Sequence, residues 1–188
     1  MSLQSKLPDV GTTIFTIMSR LAAEHNAINL SQGFPDFDAD PSLILAVSEA
    51  MAKGQNQYAP MPGLPDLNVA IARKLHGDYG WMPDPETEIT VTAGGTQALY
   101  SIIGAMISQG DEVIVLEPSY DSYIPSVVSF GGVVKTVQLL PPSYKVNWDE
   151  VESLITSRTK LIMINTPHNP CGVVLEQSDL HRLEEIVL

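Results

Sequence analysis

The stretch "EITVTAGGTQALYSIIGAMISQGDEVIVLE", residues 88–117, settles the architecture. Residues 88–92 read as a strand, 94–108 as a helix behind two glycines, and 111–117 as a second strand. The alternation continues downstream. "SYDSYIPSVVSFGG" (119–132) reads as helix, "VVKTVQL" (133–139) as strand and "NWDEVESLIT" (147–156) as helix. "TKLIMIN" (159–165) is the most apolar strand, and "SDLHRLEEIVL" (178–188) opens another helix. Strands and helices alternating over short connections predict a mostly parallel sheet covered on both faces, an α/β three-layer αβα fold.

Upstream, the pattern is helix and loop without strands. "TTIFTIMSRLAAEH" (12–25) puts Ile14, Ile17, Met18, Leu21 and Ala22 on one helical face. "INLSQGFPDFDADP" (28–41) is an irregular loop. Asp40 then caps a helix with Pro41 at its first position, running to Gly54. The loop "NQYAPMPGLP" (56–65) leads into a helix over 66–80.

The chain has 188 residues, enough for one sizeable domain with a core. Its 44% hydrophobic and 17% charged residues are those of a globular protein. A net charge of −12 argues against nucleic acid and anionic membrane surfaces as partners. No stretch reaches the roughly 20 apolar residues of a spanning helix, and "MSLQSKLPDV" has no signal-peptide core. The single cysteine, Cys171, cannot form an internal disulfide. Together these make the cytoplasm the expected location. No metal-ligand spacing is present.

In an open α/β sheet, ligands bind beyond the carboxyl ends of the strands. "TAGGTQ", "EPSYDSY" and "NTPHNPCG" are expected there, converging on one crevice. Free amides at the helix start plus the Thr96 hydroxyl would cradle a phosphate, although a Gly-Gly turn also forms for its backbone freedom alone. Tyr120 and Tyr123 could stack on a flat ring or simply pack. In "NTPHNPCG", Asn169 precedes a proline, which favours extended geometry and a rigid aim for its amide. The alternative is a strand-ending turn with a self-satisfied asparagine. His168 reads as a packed residue behind it, and nothing around Cys171 suggests an activated thiol.

Taken together, "INLSQGFPDF", "NQYAPMPGLPDL", "ITVTAGGTQALY", "GDEVIVLEPSYDSY" and "NTPHNPCG" closely resemble the class I/II aminotransferases. These are pyridoxal 5'-phosphate (PLP) enzymes of the aspartate aminotransferase fold, and the nearest subgroup is the methionine and kynurenine aminotransferases. The resemblance runs from about Thr13 to the last residue. It implies that Gly95 and Thr96 hold the cofactor phosphate, that Tyr120 stacks on the pyridine ring with Tyr123 close by, and that Asn169 donates to the cofactor's 3-oxygen. Gly33 would line the substrate carboxylate site. Tyr58 would reach the phosphate of a neighbouring subunit, which implies a homodimer with shared active sites. Cis bonds before Pro118 and Pro170 fit the same resemblance.

The implied reaction moves an amino group between an amino acid (methionine, aromatic or kynurenine-type) and a 2-oxo acid. The family's Schiff-base lysine, its pyridine-nitrogen aspartate and its substrate arginine are not matched here. None of Lys6, Lys53, Lys74, Lys135, Lys145 and Lys160 stands in the lysine's motif, so no catalytic residue is assigned. The expectation is therefore an N-terminal half, inactive alone. Residues 1–40 would be the N-terminal arm and small-domain segment, and 41–188 the first half of the large PLP-binding domain. A PLP-dependent C–S lyase of the same fold, or a non-catalytic nucleotide-binding α/β domain, are the competing readings. The missing GxGxxG and P-loop lysine weigh against the last.

Overall fold

The structure is a computed structural model describing residues 4–8, 10–33, 35 and 37–188. Residues 1–3 and 9 of the first segment read above, and Phe34 and Asp36 of the "INLSQGFPDF" loop, lie outside the described residues. The chain divides into two compact units, one of residues 11–92 and one of residues 1–10 with 93–188.

The first unit holds three helices: α1 (Ile14–Glu24), α2 (Pro41–Ala52) and α3 (Pro65–Tyr79). Helix α2 starts where Asp40 and Pro41 place it, and α1 and α3 start within two residues of the sequence reading. The Thr13 hydroxyl accepts from the Thr16 amide at 3.3 Å. One Asp40 carboxylate oxygen takes both the Ser42 amide at 2.8 Å and the Ser42 hydroxyl at 2.6 Å, with Pro41 at the first helical position. Those two bonds hold the Asp40 carboxyl below the ordinary aspartate range. Helix α3 stops at Gly80, whose φ of 72° gives the left-handed turn that favours glycine. Helix α2 buries no residue. Leu43, Ile44, Leu45, Val47 and Met51 all face solvent.

The second unit is a three-layer sandwich. In chain order it runs α4 (Gly95–Met106), β1 (Glu112–Glu117), α5 (Tyr123–Ser129), β2 (Val133–Gln138), α6 (Trp148–Ser153), β3 (Thr159–Met163) and α7 (Gln177–Val187). The sheet is parallel, in the order β2-β1-β3. Strand β1 is central and buried along residues 112–116, and its side chains alternate between two cores. Val113 and Val115 pack with Ile103, Ile107, Tyr123 and Val127, which places α4 and α5 on one face. Ile114 and Leu116 pack with Val137, Trp148 and Val151, flanked by Leu183 and Ile186, which places α6 and α7 on the other. A bond from Trp148 Nε1 to Asp179 Oδ1 at 2.8 Å fastens α6 to α7.

One expectation needs correcting. Residues 88–92 form no strand. A strand exists only through a ladder partner, and the Val91 amide instead donates to the Pro62 carbonyl at 2.9 Å. The most apolar strand, β3, is only partly buried because it has a single neighbour, β1. The middle of the sheet belongs to β1.

The buried end of β1 carries a charge. Glu112 is fully buried, and its carboxylate accepts from the Thr156 hydroxyl at 2.7 Å and from Arg158 Nη2 at 2.6 Å, with Lys135 Nζ at 3.9 Å. The Thr156 bond first, and the Arg158 bond and charge with it, outweigh desolvation and hold this carboxyl below the ordinary 4.5. A carboxyl depressed in the folded state stabilises fully above its unfolded pKa and loses that contribution as pH falls through its folded value. Urea midpoints of the chain should thus fall more steeply below pH 4.5 than those of Glu112→Gln. Parallel pH profiles for the two proteins would contradict this.

Candidate active site

Strands β1 and β3 run in the same direction, with Val115 opposite Met163, so both deliver their following loops to the same end of the sheet. Helix α4 begins there too. Its N-cap is Gly94, at a φ of 88° that suits only glycine, so no side chain caps the first turn. A Cβ on Gly94 or Gly95 would meet nothing within 4 Å, so the space before the helix is open. Gln97 Oε1 accepts from the Ala93 amide at 2.6 Å and closes the approach loop. The result is a set of neutral donors at the positive end of a 12-residue helix.

The Thr96 hydroxyl lies 3.1 Å from the Tyr120 hydroxyl. This contact joins the α4 start to the loop after β1, 24 residues on. Tyr120 is half-buried against the α4–α5 core. Its ring meets Tyr123 edge-on, with centroids 5.7 Å apart and planes at 78°. Tyr123 is buried at the start of α5, and burial first, with the neighbouring Tyr120 second, pushes its hydroxyl pKa up. It stays a neutral phenol.

The loop after β3 is pinned by its own polar groups. Asn165 Oδ1 accepts from the Asn169 amide at 2.7 Å, and the His168 amide donates to the Val173 carbonyl at 2.8 Å. The Thr166 hydroxyl accepts from the Leu175 amide at 3.0 Å. The bonds before Pro118, Pro142, Pro167 and Pro170 are cis. His168 is 6% exposed, and its ring makes a backbone hydrogen bond at Leu116 of β1 while Nδ1 has no partner. Burial pushes its pKa down, so it is a neutral imidazole packed beneath the turn. Asn169 is exposed above it. Burial raises the Cys171 thiol, which keeps it protonated and unreactive.

The structure therefore brings Thr96 and Tyr120 into contact, sets Tyr123 edge-on against Tyr120 and leaves Asn169 on the loop at the same end of the sheet. The donor set suits a phosphate, and the half-buried Tyr120 ring suits a flat heterocycle. Gly33 and Tyr58 belong to the 11–92 unit. Gly33 is exposed with open space where a Cβ would stand, and Tyr58 is fully exposed on the loop before α3. Sequence reasoning missed Asn165 and Gln97, which fix the two loops. The signal was there in each case: a polar side chain four residues from the amide it holds. Among the described residues no cluster of His, Cys, Asp and Glu could hold a metal, and no helix is long and apolar enough to cross a membrane.

Comparison with known proteins gives a consistent picture. The family model for class I and II aminotransferases matches residues 25–188. The methionine aminotransferase of Escherichia coli (strain K12) is 52% identical over 184 residues, covering 98% of this chain and 48% of its own length. A probable N-succinyldiaminopimelate aminotransferase of Mycobacterium tuberculosis is 41% identical, covering 98% of this chain and 47% of its own. Among solved structures, an Escherichia coli protein with a methionine aminotransferase function superposes with a TM-score of 0.96 at 51% identity. It covers all of this chain and 49% of that one. An aspartate aminotransferase of Thermus thermophilus superposes at 0.88 with 34% identity, covering 99% of this chain and 50% of its own. The chain spans about half the length of the relatives it matches.

Proposed function

This chain belongs to the class I and II aminotransferases, and on that footing we propose that the whole protein is a PLP-dependent aminotransferase. It passes an amino group between an amino acid and a 2-oxo acid. The observation that carries the reading is the Thr96–Tyr120 contact at 3.1 Å, which sets a phosphate cradle beside an aromatic face.

In this reading the Gly95 and Thr96 amides and the Thr96 hydroxyl bind the cofactor phosphate. Tyr120 covers one face of the pyridine ring, and Tyr123 braces Tyr120 from the side. Asn169 donates its amide to the cofactor's 3-oxygen from a turn that Asn165 and His168 keep still. A neutral amide holds that oxygen ionised without adding a charge. Gly33 lines the substrate carboxylate site, its missing side chain leaving the backbone accessible. Tyr58, fully exposed here, serves the phosphate of a second copy, so the protein is a homodimer with shared sites. Bound there, PLP supplies the sink for the electrons of the substrate's Cα–H bond. No lysine among these residues is assigned the imine. Residues 1–40 act as arm and small-domain segment, 41–188 as part of the large domain, and the protein works in the cytoplasm.

Whole protein purified with PLP should absorb in the visible, fix the cofactor on borohydride reduction, and convert methionine with a 2-oxo acid acceptor. Methionine comes first because of the 52% identity to the Escherichia coli enzyme. Protein that shows no visible absorbance and cannot be reductively labelled would end the proposal.

A further inference from the structure

Asn68 has no place in the chemistry above, yet its amide is buried and bonded to three separate points of its unit. It is 3% exposed on α3. Its Nδ2 faces three backbone carbonyls: Pro62 at 3.3 Å, Pro85 at 3.3 Å and Ile89 at 3.5 Å. Two N–H groups thus serve three acceptors. That fixes which way the amide points, and Oδ1 is left buried without a donor. The unpaired oxygen stands 2.8 Å from where a Cβ of Gly63 would sit, and Gly63 has a φ of 114°. Only glycine lets the loop come this close. The Pro62 carbonyl also takes the Val91 amide at 2.9 Å, and the Gly63 amide donates to Pro60 at 2.9 Å. An orphaned buried carbonyl is expensive, on the order of 1–3 kcal/mol, so this cluster is not merely filling space.

What the clamp holds is the loop 56–64. At its free end Tyr58 is wholly exposed and Met61 is 95% exposed. Tyr58 thus stands in water on a loop whose 60–63 end is fastened. We infer that Asn68 is a positioning residue: it fixes the 56–64 loop on α3 so that Tyr58 is held out, pre-aimed, for the site of a second copy. The inference rests on the aminotransferase reading proposed above. The energetic logic is pre-organisation. A loop already ordered before two copies meet loses less freedom on docking, and its tyrosine reaches the phosphate without rearrangement.

Asn68→Asp keeps the shape but presents oxygen to three carbonyl oxygens. In the whole protein it should speed amide exchange at Val91 and Gly63 and weaken PLP retention about tenfold, one lost hydrogen bond's worth. Tyr58→Phe supplies the second arm of a cycle. If Asn68 acts through Tyr58, the double variant retains PLP no worse than Tyr58→Phe alone; a residue that only stabilises the fold gives additive losses. Should Asn68→Asp fail to fold, Asn68→Ser keeps one donor without a charge and is expected to lose about threefold, again without adding to Tyr58→Phe. Wild-type retention in the Asn68 variants, unchanged exchange at Val91 and Gly63, or additivity in the cycle would overturn the inference and leave the aminotransferase reading intact. Wild-type protein that takes up no PLP would overturn both.

Discussion

Asn169→Ala in the whole protein is expected to lower kcat/KM about a hundredfold, the size of one pre-organised donor removed from a site where charge must be held. The magnitude follows from how little freedom the turn has. The Asn169 amide is fixed to Asn165 Oδ1 at 2.7 Å, the Gly172 amide closes on the His168 carbonyl at 2.6 Å, and the buried His168 ring lies against Leu116 of β1. A side chain on so fixed a base does not reorganise during the reaction, so its loss is not absorbed elsewhere. Asn165→Ala frees the same turn while leaving the donor in place, and a smaller loss of about tenfold is expected. Since the amide's task is to keep that oxygen ionised, the loss in Asn169→Ala should grow as pH falls and shrink as pH rises. Steady-state kinetics with a good amino donor measures all three. An Asn169→Ala enzyme within twofold of wild type would show that this amide faces solvent rather than the cofactor.

Ile114→Ala is expected to cost about 3 kcal/mol of stability, within the range for burying a cavity in place of three carbons. Ile114 is fully buried in the middle strand, and its core neighbours come from both β2 and α6: Val137, Trp148 and Val151. Because β1 has a strand on each side, the site cannot collapse by moving one edge. The same truncation at Ile164, 38% exposed just past β3, should cost under about 1 kcal/mol. Urea titration resolves the difference, since m-values of about 1–3 kcal/mol per molar turn 3 kcal/mol into a midpoint shift of at least 1 M. Equal shifts for the two would mean that β1 is not the centre of the core.

Much of this was legible in the residues. Asp40-Pro41 is a local signal, satisfied by Ser42 two positions on, and α2 begins on it. Tyr120 follows the short loop after β1 as the alternation predicts, whereas Thr96 stands at a helix start with no strand before it. What could not be read depends on partners distant in sequence. Residues 88–92 have strand-like composition, but a ladder needs a neighbour, and composition names none. The apolar run of β3 says nothing of pairing order, which is set by how β1 is shared between β2 and β3. Nothing local marks Asn68, whose three acceptors come from positions 62, 85 and 89.

The shared strand also imposes a timetable on synthesis. Partners on β1 and β2 are about 20 positions apart and those on β1 and β3 about 50, a difference worth under about 1 kcal/mol of loop entropy. Emergence from the ribosome, rather than entropy, therefore orders the pairings. After β2 is made, about 25 more residues must follow before β3 is complete, roughly one to five seconds of translation. Throughout that interval one flank of β1 offers a bare row of amides and carbonyls to any other nascent chain.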